Sequence, residues 1–156
     1  MKTSFTLYLL LLITVAPLCH AEPDALAASD RKVLEEEGRF REVRTKSGLP
    51  KAILDLCTDG GGAMAEPGQP FQVTDVVTDA TLPGRRLSWG AISGDYYVVH
   101  YETGGIAHVY RFLVATMPKG AAQPKVLWRE AGNVKCDDYK AFVEALRNHK
   151  FDSGRR

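Results

Sequence analysis

The sequence predicts an α+β fold: an antiparallel β-sheet or small β-sandwich, with a C-terminal amphipathic helix and a loosely docked N-terminal helix. Two observations support this class. Between residues 71 and 128, runs rich in β-branched and aromatic residues are separated by turns that contain Gly or Pro, which is typical of consecutive antiparallel strands. After residue 138 the apolar residues recur at helical spacing. The apolar fraction of 45% and the charged fraction of 25% are ordinary for a globular protein.

The first element is an export signal. Lys2 precedes a nearly continuous apolar run at 5–15, and the segment that follows ends at the small residue Ala21. This layout is typical of a secretory signal that is cleaved after Ala21. The run is shorter than the roughly 20 residues that span a bilayer as a helix. We therefore expect a periplasmic or secreted protein with no membrane span after cleavage. An uncleaved anchor and a lipidated Cys19 are the alternatives.

The rest of the chain is predicted to form one domain. Residues 22–47 read as a helical or flexible N-terminal arm, in which Glu37 and Arg41 have the i,i+4 spacing of a helical ion pair. Residues 48–150 form the β-rich domain, and residues 151–156 a flexible tail. Pro50 is suited to open a short helix, which is followed by a loop rich in glycine at 58–70.

Strands are predicted at 71–77, 86–92, 96–103, 106–117 and 125–128. Gly104 and Gly105 suit the centre of a two-residue hairpin turn, which would place Thr103 opposite Ile106. In that register three polar side chains share one face of the hairpin, namely His100, Glu102 and Arg111. His108 lies beside Tyr101 on the other face. We interpret them as secondary candidates for a polar site, or alternatively as a structural hydrogen-bonded group.

The terminal helix follows from a single apolar stripe. Its apolar positions have the spacing i, i+3, i+4 and i+7, and they are Tyr139, Phe142, Val143 and Leu146. Asp137 or Asp138 is suited to cap its N-terminus.

Cys57 and Cys136 are predicted to form a disulfide, because an even pair in an exported chain usually pairs. Closing a loop of about 80 residues would stabilise the fold by about 4–5 kcal/mol in the chain-entropy model. The alternative is that one of the two is a catalytic thiolate.

Charge and motifs exclude several function classes. The count of 20 Lys+Arg against 19 Asp+Glu lacks the basic surplus of a nucleic-acid binder. The chain has no GxSxG serine motif, no HExxH zinc motif and no phosphate-binding loop. We therefore predict no catalytic residues, no metal and no cofactor.

The signal at 1–21, the Cys57 and Cys136 pair and the glycine-tipped hairpin at 103–106 together resemble the small periplasmic immunity proteins of contact-dependent bacterial competition, of the type VI secretion kind. The resemblance implies a protein partner, namely a peptidoglycan-hydrolysing toxin whose active site the protein blocks. It implies two partner-binding elements, the hairpin tip and the glycine loop, which comprise Thr103, Gly104, Gly105, Ile106, Asp59, Gly60, Gly61 and Gly62.

Two other function classes stay open. One is an envelope hydrolase that uses Cys57 or the pair His100 and Glu102. The other is a binder of a small ligand or cell-wall component.

Overall fold

The structure, a computed structural model, describes residues 25–36, 38–58, 62–77 and 79–151. The export signal, residues 59–61 of the glycine loop and the residues after 151 lie outside this part of the chain. The described elements are, in chain order, α1 (Ala28–Leu34), β1 (Arg41–Val43), α2 (Lys51–Cys57), β2 (Arg85–Ser93), β3 (Tyr96–Thr103), β4 (Val109–Thr116), β5 (Lys125–Gly132) and α3 (Tyr139–Arg147).

The five strands form one antiparallel sheet in the order β1-β2-β3-β4-β5, so each strand pairs with its sequence neighbour. This confirms the α+β class and its antiparallel sheet. Gly94 has a φ of 56° in the two-residue turn between β2 and β3, where Ser93 pairs with Tyr96. A glycine adopts this left-handed conformation without the cost that a Cβ would add.

Helices cover both faces of the sheet, in place of the second sheet of a sandwich. On one face α3 buries Phe142 and Leu146 against Trp89 and Phe112. On the other face α2 buries Ile53 against Leu87 and Val99. The sheet therefore separates two apolar cores, which explains why β2, β3 and β4 carry large apolar side chains on both faces.

The C-terminal helix confirms its predicted stripe. Phe142, Val143 and Leu146 are buried, and the side chain of Asp138 accepts a hydrogen bond of 2.7 Å from the backbone N–H of Ala141. This is the usual N-cap geometry. Phe151, which the sequence placed in a flexible tail, is instead buried, with its ring centroid 5.1 Å from that of Phe112.

The N-terminal segment belongs to the domain. Leu34 of α1 is fully buried, and Arg31 donates a hydrogen bond of 3.0 Å to the backbone carbonyl of Leu146. No sequence pattern predicts β1, which pairs with β2 through Arg41 to Ile92 and Val43 to Gly90. The boundary predicted at residue 47 therefore lies inside the domain.

Candidate functional site

Two predictions about the hairpin between β3 and β4 are wrong. Thr103 pairs with Val109, so the connection is the five-residue loop 104–108 and not a two-residue turn. Residues 71–77, predicted as a strand, make only one isolated parallel bridge in this region, between Thr74 and Gly105. The segment lies across the loop and holds it in place.

Gly104 makes this contact possible. A Cβ at Gly104 would lie 1.8 Å from the backbone oxygen of Gln72, so only glycine fits. The adjacent N–H of Gly105 donates a hydrogen bond of 3.2 Å to the carbonyl of Val73. Gly105 itself has a φ of 132°, a region that favours glycine. The loop tip and the 71–77 segment are therefore joined through their backbones.

This junction forms the first candidate surface, which we call the apolar end. It comprises the four large apolar side chains that are exposed within the described part of the chain, with exposed fractions of 97% for Ile106, 66% for Val76, 64% for Val77 and 41% for Val73. Their collection at one end of the sheet is unusual, because large apolar residues on a soluble surface are normally scattered singly.

The predicted partner-binding residues do not share one environment. Ile106 is fully accessible, whereas Thr103 is buried and its hydroxyl accepts a hydrogen bond of 3.0 Å from Arg111 Nε. Gly104 and Gly105 shape the loop. Gly62 lies beside Arg85, in the wall of a surface pocket that Thr103 and Gly104 also line. Asp59, Gly60 and Gly61 lie outside the described residues.

A second candidate surface, the polar cleft, lies beside the apolar end, and Glu102 is at its centre. Arg86 Nη2 donates hydrogen bonds of 2.9 and 3.1 Å to the two carboxylate oxygens of Glu102. His108 Nε2 lies 2.7 Å from Glu102 Oε2. Burial disfavours the ionised carboxylate, but the hydrogen bonds from Arg86 and His108 outweigh it and lower the pKa of Glu102. An ionised Glu102 requires that His108 Nε2 carries a proton and donates it.

The predicted grouping of His100, Glu102 and Arg111 on one face is wrong for Arg111. The loop is three residues longer than a two-residue turn would make it, and an odd shift moves every β4 side chain to the opposite face. His108 accordingly contacts Glu102 and not Tyr101. Arg86, which the sequence reading missed, takes the place expected for Arg111. In the sequence, Arg86 and Ser88 occupy alternate positions of β2. This pattern indicates a contact with Glu102 only when the pairing of β2 with β3 is known.

His100 forms the floor of the cleft and is only 1% exposed. Its ring stacks on Phe112 at 4.2 Å between centroids, and its Nδ1 lies 3.0 Å from the carbonyl oxygen of Arg111. Burial lowers the pKa of His100, although the contact with the Arg111 carbonyl and the charge of Glu102 oppose the shift. The neutral ring therefore carries its proton on Nδ1.

The predicted disulfide is wrong. Cys57 belongs to the core under α2, and Cys136 to the core under α3 on the opposite face of the sheet, so no bond joins them. Both are buried, and burial raises the pKa of Cys136 to about 11. A buried thiol that resists ionisation is a poor nucleophile, which gives no support to Cys136 as a catalytic thiolate.

Within the described ranges, no group of three or more His, Cys, Asp or Glu side chains is arranged to hold a metal ion. No helix in that part of the chain is long and apolar enough to cross a membrane. Comparison with protein-family models, curated proteins and solved structures finds no match to this chain.

Proposed function

We propose that the chain is an exported protein-binding module that recognises its partner through the apolar end. The observation that supports this is the collection of Val73, Val76, Val77 and Ile106 at one end of the sheet. Exposed apolar surface costs solubility, and contiguous patches of it commonly mark protein interfaces. The near balance of charge leaves shape and apolar contact as the main source of recognition.

The way in which the apolar end is held also supports binding. Its two segments are joined by the hydrogen bond from Gly105 to Val73, and the side chain of Gln72 donates a hydrogen bond of 3.0 Å to the carbonyl of Thr74. A surface that is ordered before binding loses less conformational entropy when it meets a partner. Ile106 at the tip is the side chain best placed to enter a pocket.

The partner class that we propose is a peptidoglycan-hydrolysing toxin, which the module would inhibit as an immunity protein in the periplasm. The predicted export pattern at 1–21 supports this proposal, because an exported chain would meet such a partner in the periplasm. A projecting tip with an apolar residue at its end suits the entrance of an active-site cleft. Inhibition would follow from exclusion of the glycan strand and would require no chemistry from this chain.

The experiment compares the wild-type protein with Ile106→Asp and Val76→Asp. Each variant is used to capture partners from envelope extract, and the captured protein is assayed for peptidoglycan hydrolysis with and without added module. We expect the wild type to capture one stoichiometric hydrolase and to inhibit it, and both variants to weaken inhibition at least about 30-fold, since a central apolar contact typically contributes 2 kcal/mol or more.

The matched control is Ala122→Asp. Ala122 is exposed in the connection between β4 and β5, at the opposite end of the sheet, and receives the same charge. It should inhibit like the wild type. Undiminished inhibition by Ile106→Asp would overturn the proposed surface, whereas hydrolysis of peptidoglycan by the module alone would replace the binding function with an enzymatic one.

A further inference from the structure

The helix α3 leaves part of its face of the sheet open. The helix packs over the apolar residues of this face. The part of the face beside Ile106 and residues 71–77 stays open and forms the polar cleft, which has a volume of about 390 Å³. Its floor and walls come from β2, β3, β4 and the connection that precedes α3, and include Arg86, Glu102, His100, His108 and Tyr110. That volume is in the range of small-ligand pockets.

The two imidazoles of the cleft both present a hydrogen-bond acceptor. In His100 the Arg111 carbonyl accepts from Nδ1, which leaves Nε2 as the acceptor. This atom is buried and has no hydrogen-bond partner among the residues that the structure describes. In His108 the Glu102 carboxylate fixes the proton on Nε2, which leaves Nδ1 as the acceptor of a side chain that is 34% exposed. The two rings flank Tyr110, at centroid distances of 5.8 and 5.0 Å.

A buried polar atom without a partner is costly, and a ligand that supplies the missing donor would remove that cost. Because His100 is only 1% exposed and its Nε2 is buried, a donor reaches this nitrogen only when the side chains over it shift, and a small donor requires the smallest shift. A hydroxyl meets this requirement better than an ammonium or a guanidinium, which are bulkier and keep their hydration.

The charges of the cleft argue for a neutral ligand. Arg86 is paired with Glu102 at 2.9 Å, Lys135 with Asp137 at 2.8 Å, and Arg44 forms an ion pair with Glu42. An anionic or cationic ligand would have to compete with one of these pairs. A neutral hydrogen-bond donor would leave all of them intact.

We propose that the polar cleft binds a neutral, hydroxyl-bearing ligand of the sugar class, whose hydroxyls donate to His100 Nε2 and His108 Nδ1 while its ring lies beside Tyr110. A pyranose combines several neutral donors with an apolar face, which matches two acceptors that flank an aromatic ring. This site is separate from the apolar end, and it does not depend on the proposed protein-binding function.

The first measurement is the tautomeric state of the two rings. Long-range ¹H–¹⁵N spectra of the purified protein at pH 7.5 should show His100 protonated on Nδ1 and His108 protonated on Nε2. The protein is then titrated with glucose, galactose, mannose and N-acetylglucosamine. We expect at least one of them to shift the His100 and His108 ring nitrogens saturably.

Glucosamine and glucuronate test the charge argument, because they share the glucose ring and differ in charge. Both should bind at least about fivefold more weakly than the best neutral sugar. His100→Phe keeps an aromatic ring over Phe112 but removes the acceptor, and it should weaken binding about tenfold. Tyr97→Phe, which removes a hydroxyl from the opposite face of the sheet, is the control and should bind normally.

Three results would overturn the proposal. They are the absence of saturable shifts with all four neutral sugars, tighter binding of the charged analogues, and unchanged binding by His100→Phe. Circular dichroism and thermal unfolding of each variant establish that a loss of binding is not a loss of fold.

Discussion

Gly104→Ala tests the junction on which the apolar end depends. The new Cβ would lie 1.8 Å from Gln72 O and 2.7 Å from both Cα and the carbonyl carbon of Val73. All three contacts are with backbone, so no side-chain rotation relieves them. Gly104 does not have a positive φ, so alanine meets no strain in its own backbone and the effect is purely steric.

The loss of stability in Gly104→Ala follows from the backbone segments that must move to admit the new Cβ. The tip and the 71–77 segment have to separate by more than about 1 Å, an overpacking penalty of about 1–3 kcal/mol. Separation also threatens the hydrogen bonds from Gly105 to Val73 and from Gly104 to Gly84, each worth about 1 kcal/mol net. We expect the free energy of unfolding to fall by about 2–4 kcal/mol, with weaker partner binding in the fraction that remains folded.

Urea unfolding followed by circular dichroism measures this loss. Gly84→Ala is the matched control, because Gly84 belongs to the same junction but an added Cβ meets nothing within 4 Å. It should change stability by less than about 1 kcal/mol, and it can be stabilising. A Gly104→Ala variant as stable as Gly84→Ala would refute the close packing of the two segments.

Three further predictions address the cysteines, the cleft and the buried histidine. Alkylation in urea without reductant, read by peptide mass spectrometry, should label both Cys57 and Cys136, because the sheet separates them; a crosslinked peptide would contradict the structure. Arg86→Met should cost about 2–4 kcal/mol by leaving the buried Glu102 short of a cation, and adding Glu102→Gln should restore much of the loss in a double-mutant cycle of urea unfolding. Stability should be highest above pH 6.5 and fall as the pH drops toward 5, because burial lowers the folded-state pKa of His100 while the unfolded ring takes up a proton near pH 6.5. The slope attributable to His100 is at most about 1.4 kcal/mol per pH unit, and it should vanish in His100→Phe.

Local patterns account for much of the fold. β3 has the bounds of the aromatic and β-branched run that predicts it, and α3 buries Phe142, Val143 and Leu146 of the predicted stripe. Both elements are specified by residues within themselves. β1 has only three residues, two of them charged, and it becomes a strand because β2 supplies its hydrogen bonds. No local signal predicts such an element.

The site was harder to predict because it depends on contacts between distant segments. Gly104 and Gly105 suggest a tight turn when they are read alone. In the structure Gly104 is instead the point where residues 71–77 approach, a contact that the hairpin sequence does not encode. The resulting three-residue change in the β3–β4 register decided which residues share a face, so Arg111 was placed wrongly. Arg86 was missed because its place opposite Glu102 depends on the pairing of β2 with β3.

The disulfide prediction was wrong for a different reason. It used the compartment and the even number of cysteines, neither of which says on which side of the sheet Cys57 and Cys136 lie. In the described chain, a noncovalent network holds the segments around the apolar end together. Glu102 is at the end of β3, His108 is in the loop that carries Ile106, and Arg86 joins Glu102 while its guanidinium lies 4.5 Å from the ring centre of Phe71.

This network links the two candidate surfaces physically. His108 closes the tip loop onto Glu102 on one side, and Phe71 leads into the 71–77 segment that closes it on the other. A change at Glu102 therefore reaches both the acceptor nitrogen of His108 in the polar cleft and the orientation of Ile106 at the apolar end. The carboxylate that the sequence suggested as a working group acts in the structure as the anchor that positions both surfaces, which is a task that its burial and its paired charge suit better than proton transfer.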